Sequence, residues 1–224
     1  MTKTLAFDVY GTLIDTQGVT QLLENWIGNK AWHFSQTWLN KQLEYSYRRG
    51  VVDHYQPFTQ CALDALEYAC KVHQMALSSH QKNMLMQEYL SLSAFPDVLP
   101  ALEQLSKAGI HMLAFSNGEQ SNLRMLLEQA GLSHYFQKVI SCEDVGCLMP
   151  SSKVYQHLIE QMAIANNQAW LISSHSFDVT GATNVGINSV WVQRNRLNTS
   201  MDWNCFPNLT VGNLLELPLI ISNA

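Results

Sequence analysis

The chain begins with a short apolar run, Leu5-Ala6-Phe7, that ends in a single carboxylate, Asp8, and passes through Val9 and Tyr10 to Gly11. Unbroken hydrophobicity over so few residues, closed by a turn former, predicts a buried strand with Asp8 at its carboxyl end and Gly11 turning the backbone away. After Leu13 the period changes. From about Thr16 to Phe95 strand signals almost vanish and apolar residues recur at helical spacing. Three helical stretches are predicted there. One is Trp-rich and runs from Trp26 to Tyr47, a second spans Phe58 to Val72 with Cys61, Ala62, Ala65, Leu66 and Ala69 on one face, and a third runs from about Ser79 to Leu92. Met and aromatic side chains in this region suit irregular helix-helix packing.

Beyond Phe95 helix and strand alternate. Pro96-Asp97 opens a helix with Leu99, Leu102 and Leu105 on its apolar face, and Gly109 stands where a helix end favours positive φ. A strand from Ile110 to Phe115 runs into Ser116-Asn117-Gly118, a helix covers about Gln120 to Ala130, and Val139-Ile140-Ser141 reads as the next strand. Pro150-Ser151-Ser152 introduces a helix through Val154, Leu158, Ile159 and Met162, followed by a strand, Trp170-Leu171-Ile172, that ends in Ser173-Ser174-His175. Asp178 starts a short helix reaching Gly186, and Ser189 to Val192 is the final β segment, before a tail containing Pro207 and Pro218. Such alternation predicts an α/β fold, a doubly wound parallel sheet with helices on both faces, interrupted by an inserted helical cap. The boundaries read as 1–15 and 96–224 for the core and 16–95 for the cap.

Composition narrows the partners. The 224 residues are 47% hydrophobic, ample for a core, and 13 basic against 18 acidic residues give a net charge of -5 with no basic stripe. This argues against nucleic acid and for a small molecule. No apolar run approaches a membrane span and the first strand starts within a few residues, so a cytoplasmic protein without a membrane partner is expected. Five widely spaced cysteines without a C-x-x-C suit reduced, buried thiols better than disulfides or zinc. Asn198-Thr199-Ser200 and Asn208-Leu209-Thr210 match the glycosylation pattern but lack a secretory context.

The chemistry gathers at predicted strand ends, where Asp8, Ser116 and Ser173 all fall. In an open parallel sheet, ligands bind outside the carboxyl ends of the strands, so the architecture would bring these three together. A lone Asp in such a place often only caps a turn, and Asp178 at a helix start has the same explanation. A fixed carboxylate within reach of an organic substrate can also be a nucleophile.

Phe7-Asp8-Val9-Tyr10-Gly11-Thr12-Leu13, Ser116-Asn117-Gly118, Pro150 with Tyr155, and Ser173 to Ala182 resemble the haloacid dehalogenase superfamily, in the expected order over nearly the whole chain. Trp38-Leu39-Asn40-Lys41-Gln42-Leu43-Glu44-Tyr45 looks like the cap of its L-2-haloacid dehalogenase branch. Phosphatases of the superfamily place a second Asp two residues after the nucleophile and an acidic magnesium ligand five before the equivalent of Asp178; here those positions hold Tyr10 and Ser173. The resemblance therefore implies a hydrolase that uses no cofactor or metal, in which Asp8 attacks C2 of a short 2-halo carboxylate, expels halide and leaves an ester that water cleaves. It assigns Tyr10, Thr12, Ser116, Asn117, Tyr155 and Phe177 to the substrate and its surroundings, Ser173 and Asp178 to the hydrolytic water, and a homodimer to the assembly.

Three positions depart from that pattern. Leu39 replaces an Arg that accepts the halide, Met149 replaces a lysine beside the nucleophile, and His175 stands where the branch has Asn. Losing that lysine should raise the barrier by several kcal/mol, roughly 10² to 10⁴ in rate, without a substitute. Lys153, one helical turn past Met149, is a candidate to return toward Asp8, His175 can titrate near neutrality, and Lys41, Arg48 and Arg49 are cap alternatives. Two classes of function stay open: a hydrolase with weakened or altered activity, and a non-catalytic protein that binds small anions. A phosphatase is disfavoured by Tyr10 and Ser173.

Overall fold

The computed structural model describes residues 3–165, 168–195 and 205–221. Its centre is β1 (Thr4–Asp8), the middle of a parallel sheet ordered β3-β2-β1-β4-β5-β6. The other strands are β2 (His111–Ser116), β3 (Lys138–Ser141), β4 (Ala169–Ser173), β5 (Asn188–Val192) and β6 (Leu209–Val211). The chain builds outward from β1 through β2 to β3, then returns to the other side of β1 for β4. That reversal puts the crevice at the carboxyl ends of β1 and β4.

Alternation along the strands divides the core between the two faces. Leu5, Phe7, Ala114 and Ile172 belong to one apolar cluster, and Ala6, Phe115 and Leu171 to the other. The first face is covered by α5 (Val98–Lys107), α6 (Gln120–Gln129) and α9 (Leu217–Ile221), the second by α7 (Ser152–Met162) and α8 (Ser176–Asn184). Burial on both faces explains why β1 and β4 read as continuous apolar runs.

The cap is four helices inserted between β1 and α5: α1 (Gln17–Ile27), α2 (Ala31–Val51), α3 (Phe58–Val72) and α4 (Ser79–Glu88). Trp38 on α2 is buried and donates its indole N–H to the Ala62 carbonyl of α3 at 2.8 Å. The two linkers pair with each other: Asp15 donates its backbone N–H to the Ser93 carbonyl and Phe95 to that of Leu13, both at 2.9 Å. Arg194 buttresses this junction, donating to both Asp97 carboxylate oxygens at 2.7 Å and to the Thr12 carbonyl at 2.6 Å.

Several boundaries differ from the sequence reading. The Trp-rich stretch is two helices, because Gly28 breaks it at φ 57. The third cap helix ends at Glu88, short of Leu92. Leu99 is 48% exposed, since the buried face of α5 is Val98, Ala101, Leu102 and Leu105, the i, i+3, i+4, i+7 set one position earlier. The segment Ser189–Val192 is not the last strand: β6 pairs with it from the tail, and Pro218 sits in the first turn of α9, where its missing N–H costs nothing. Of the glycosylation matches, Asn198-Thr199-Ser200 lies outside the described residues, and Asn208 accepts from the Ser189 N–H at 2.9 Å. Four cysteines are buried and Cys205 is half-buried, all as free thiols. Among the described residues no helix is long and apolar enough to cross a membrane.

Candidate active site

Asp8 ends β1, nearly buried, and the chain turns at once through Gly11 at φ +79. A Cβ on Gly11 would lie 3.1 Å from the His175 ring, so glycine serves both the turn and the approach of that imidazole. The turn carries Thr12 back over the strand end, where its hydroxyl donates to Asp8 Oδ2 at 2.6 Å. The Thr12 oxygen in turn accepts the Ser174 N–H at 2.8 Å, tying the loop after β1 to the loop after β4.

His175 comes from that second loop. Its Nδ1 lies 3.0 Å from Asp8 Oδ2, and its ring stacks on Phe177 with centroids 5.0 Å apart. Burial opposes a charge on this ring, but the hydrogen bond and charge of Asp8, with Asp178 beyond, outweigh it and push the pKa above the ordinary histidine value.

Behind this pair sits Asp178, fully buried on the first turn of α8. It does not cap the helix, which starts at Ser176; both of its oxygens are held from elsewhere. Tyr155 donates to Oδ1 at 2.8 Å and Ser173 to Oδ2 at 2.6 Å. Gly181 makes the first contact possible, because a Cβ there would fall 2.0 Å from the Tyr155 ring. Burial, then the charge of Asp8, raise the Asp178 pKa to about 7, against the lowering by His175 and the two hydroxyl donors. Polar atoms of Asp8, His175 and Asp178 lie within 4.8 Å of one another.

Asp8, Gly11 and His175 stand on the floor of a cavity of about 370 Å³ whose roof is the cap. From the core, Tyr10, Ser116, Asn117 and Met149 also line it. Asn117 accepts the Met149 N–H at 2.8 Å, which leaves the donor end of its amide available to a ligand. Tyr10 meets Tyr89 edge-on at 6.0 Å, and Tyr89 meets Trp38 at 5.5 Å, an aromatic chain from core loop to cap. The roof is mostly hydrocarbon: Leu39 and Leu43 of α2, Ala62 and Leu63 of α3, Met86 and Leu90 from α4 onward.

Of the positions read from the sequence, Asp8, Tyr10, Leu39, Ser116, Asn117, His175 and Phe177 line this cavity, with Thr12, Tyr155, Ser173 and Asp178 packed behind. Lys153 is a correction. It does not return toward Asp8; its side chain is 64% exposed and its Nζ lies 3.7 Å from Asp53. The cap cations are also engaged elsewhere, Lys41 and Arg48 with Glu44 at 2.5 Å each and Arg49 with Asp64. No Lys or Arg among the described residues lines the cavity.

Sequence reading missed Gln42 and Glu119. Gln42 is buried on the roof, and Glu119 accepts from the Thr59 N–H at 3.2 Å and hydroxyl at 2.8 Å, joining cap to core. Glu119 directly follows Ser116-Asn117-Gly118, a signal that was present; nothing local distinguishes Gln42 from its helix neighbours.

Comparison with known proteins agrees with this geometry. The haloacid dehalogenase-like hydrolase model matches residues 2–186. The chain is 30% identical over 220 residues to (S)-2-haloacid dehalogenase 2 of Pseudomonas sp. (strain CBS-3), covering 98% of this chain and 96% of that one. Among solved structures it superposes on the L-2-haloacid dehalogenase RSc1362 with a TM-score of 0.95 at 29% identity, covering 99% of each chain. The L-2-haloacid dehalogenase from Xanthobacter autotrophicus with chloropropionic acid covalently bound gives a TM-score of 0.92 at 26% identity, again over 99% of each. Matched by the family over most of its length and similar in sequence and fold from end to end, this chain belongs to the haloacid dehalogenase-like hydrolases.

Proposed function

We propose that the protein is a hydrolase of the (S)-2-haloacid dehalogenase type, with Asp8 as nucleophile. The observation that carries this reading is the setting of Asp8: one oxygen held by Thr12 and His175, the group facing the cavity beneath the cap, with no second carboxylate at Tyr10 to protonate a leaving oxygen. An Asp8 oxygen forms a bond to C2 of the substrate as the carbon-halogen bond breaks and halide leaves with its electrons. Water then attacks the Asp8 carboxyl carbon, its proton passes to a base, and Asp8 is released with a 2-hydroxy acid.

His175 takes the place of the missing lysine. As an imidazolium 3.0 Å from Asp8 it opposes the charge that grows on the carboxyl oxygens during ester hydrolysis. Asp178, ionised above about pH 7, accepts the water's proton or holds the group that does, with Ser173 and Tyr155 fixing its orientation. Asn117 and Ser116 supply polar contacts to the substrate carboxylate. We place the cap boundary at the paired linkers, close to residues 15 and 96, and assign a homodimer by family likeness.

The test is chloride release from (S)-2-chloropropionate, with Asp8→Asn as control. Release by the native protein that drops at least about 10⁴-fold in the variant supports the reading, as does ¹⁸O from labelled water entering the peptide that holds Asp8. A native rate no higher than that of the variant rejects it and favours a non-catalytic anion-binding protein. Magnesium-dependent hydrolysis of 4-nitrophenyl phosphate would instead indicate a phosphatase.

A further inference from the structure

On the reading above, attack at C2 places two parts of a 2-halo acid: the carboxylate toward Ser116 and Asn117, and the halide on the side away from Asp8. The substituent on C2 is the part left to meet the rest of the cavity, so the size and lining of that cavity select it.

The space is large for a short acid. A cavity of about 150 Å³ holds benzene, whose six carbons match the number of non-hydrogen atoms in 2-chloropropionate. This cavity measures about 370 Å³, more than twice that. Away from the polar floor its lining is Leu39 and Leu43 of α2, Leu63 of α3, and Met86, Tyr89 and Leu90 in and after α4, uninterrupted by any Lys or Arg among the described residues. Asn83 and Gln87, the exposed lining residues of α4, mark its mouth. The roof is also held at its height. Thr59 of α3 donates its backbone N–H and its hydroxyl to Glu119 of the core at 3.2 and 2.8 Å, and Trp38 ties α2 to α3 through the Ala62 carbonyl at 2.8 Å. Walls tied in this way relax only partly into an apolar space, which then favours an apolar occupant over water.

We propose that this site takes 2-halo acids with a medium-length alkyl chain, about six to ten carbons in all, the chain lying along the roof toward Asn83 and Gln87 while C2 stays over Asp8. The assignment deepens the dehalogenase reading and rests on it. Each methylene that moves from water onto this wall raises affinity about two- to fourfold until the cavity is full. The chain of (S)-2-chloropropionate is a single methyl and covers little of that wall.

The test is a chain-length series, with chloride release measured for the (S)-2-chloro derivatives of propionate, hexanoate, octanoate and dodecanoate. From propionate to octanoate kcat/KM should rise about 30-fold or more, chiefly through KM, and it should level off by dodecanoate, whose chain outgrows the cavity. A series that is flat or falls with length overturns the assignment and leaves the dehalogenase reading standing. A rise that continues without a plateau also overturns it, since the tail would then be adsorbing to an open surface. Leu63→Trp, which occupies part of the roof, should lower the octanoate-to-propionate ratio at least about 10-fold, and an unchanged ratio in the folded variant rejects the path along the roof. Calorimetric titration of the native protein with unhalogenated octanoate and propionate needs neither turnover nor a variant. Octanoate bound at least about 30-fold more tightly sustains the chain-length assignment even where no chloride is released, which would be failure of the dehalogenase reading alone; equal affinities refute it.

Discussion

On the floor of the cavity the polar groups around Asp8 hold one another: Thr12 and His175 on Asp8, Ser174 on Thr12, Ser173 and Tyr155 on Asp178. On the roof the charged groups turn outward. Lys41 and Arg48 pair with Glu44, Arg49 with Asp64, and the wall facing Asp8 is mostly hydrocarbon with uncharged polar side chains among it. The floor is built at strand ends, whose spacing is set by the sheet, so its hydroxyls and carboxylates meet at hydrogen-bond distance. The roof is the surface of a helix bundle. A side chain there can change chemistry without disturbing the sheet, and Leu39 is such a change.

Substitutions at His175 address the floor and carry the largest expected effect. His175→Asn should lower kcat for (S)-2-chloropropionate about 10²- to 10³-fold by removing the only cation near Asp8 among the described residues. The deficit should shrink as pH rises, because the native histidine loses its charge there. Thermal denaturation gives a second readout. His175 has a raised pKa in the folded protein, so the stability it adds is full below the ordinary histidine range and fades as pH rises through the folded value. The native protein should therefore exceed His175→Asn in Tm by more at pH 6 than at pH 9, and an equal gap at both would deny the Asp8 pairing.

Asp178→Asn should cost about 10²-fold in kcat and abolish the acid limb of the rate profile, which in the native enzyme falls below about pH 7 as Asp178 takes a proton. Its raised pKa also means that the folded state loses stability as pH rises from the ordinary Asp range toward 7. The variant's stability should be flatter over that window, as chemical denaturation at several pH values would reveal.

Two further changes sharpen the contrast of floor and roof. Leu39→Arg should raise the rate on the chloride substrate about 10-fold, since a cation on the roof would face the departing anion. A decrease would show that the hydrocarbon is required there. Smallest is Lys153→Ala, expected to alter kcat less than about two-fold, because an exposed ion pair with Asp53 contributes little. A large loss would restore Lys153 to the site.

How much of this was legible in the sequence differs along the chain. The strand ending in Asp8, the polar ends at Ser116 and Ser173, the helical insertion and the parallel alternation could all be read, because hydrophobic period and turn residues are local signals. Leu99 was misplaced by one position on its helix, and β6 was missed, because a three-residue edge strand carries too little pattern of its own. Lys153 shows the limit of spacing. One turn beyond Met149 describes a distance along a helix, not the direction of its side chain, and α7 turns that lysine to solvent.

The sequence by itself determined the sheet, the insertion, and the identity of the groups at each strand end. It also determined that two expected cations are absent, since Leu39 and Met149 are simply what those positions hold. Only the tertiary structure decided which group stands beside Asp8. The loops after β1 and β4 are 167 residues apart in sequence at Asp8 and His175, yet adjacent strands and the close approach allowed by Gly11 put them 3.0 Å apart. Tertiary structure decided the roof as well. Helical period shows which residues share a face, but only packing against α3 and the core turns Gln42 inward and Lys41 away.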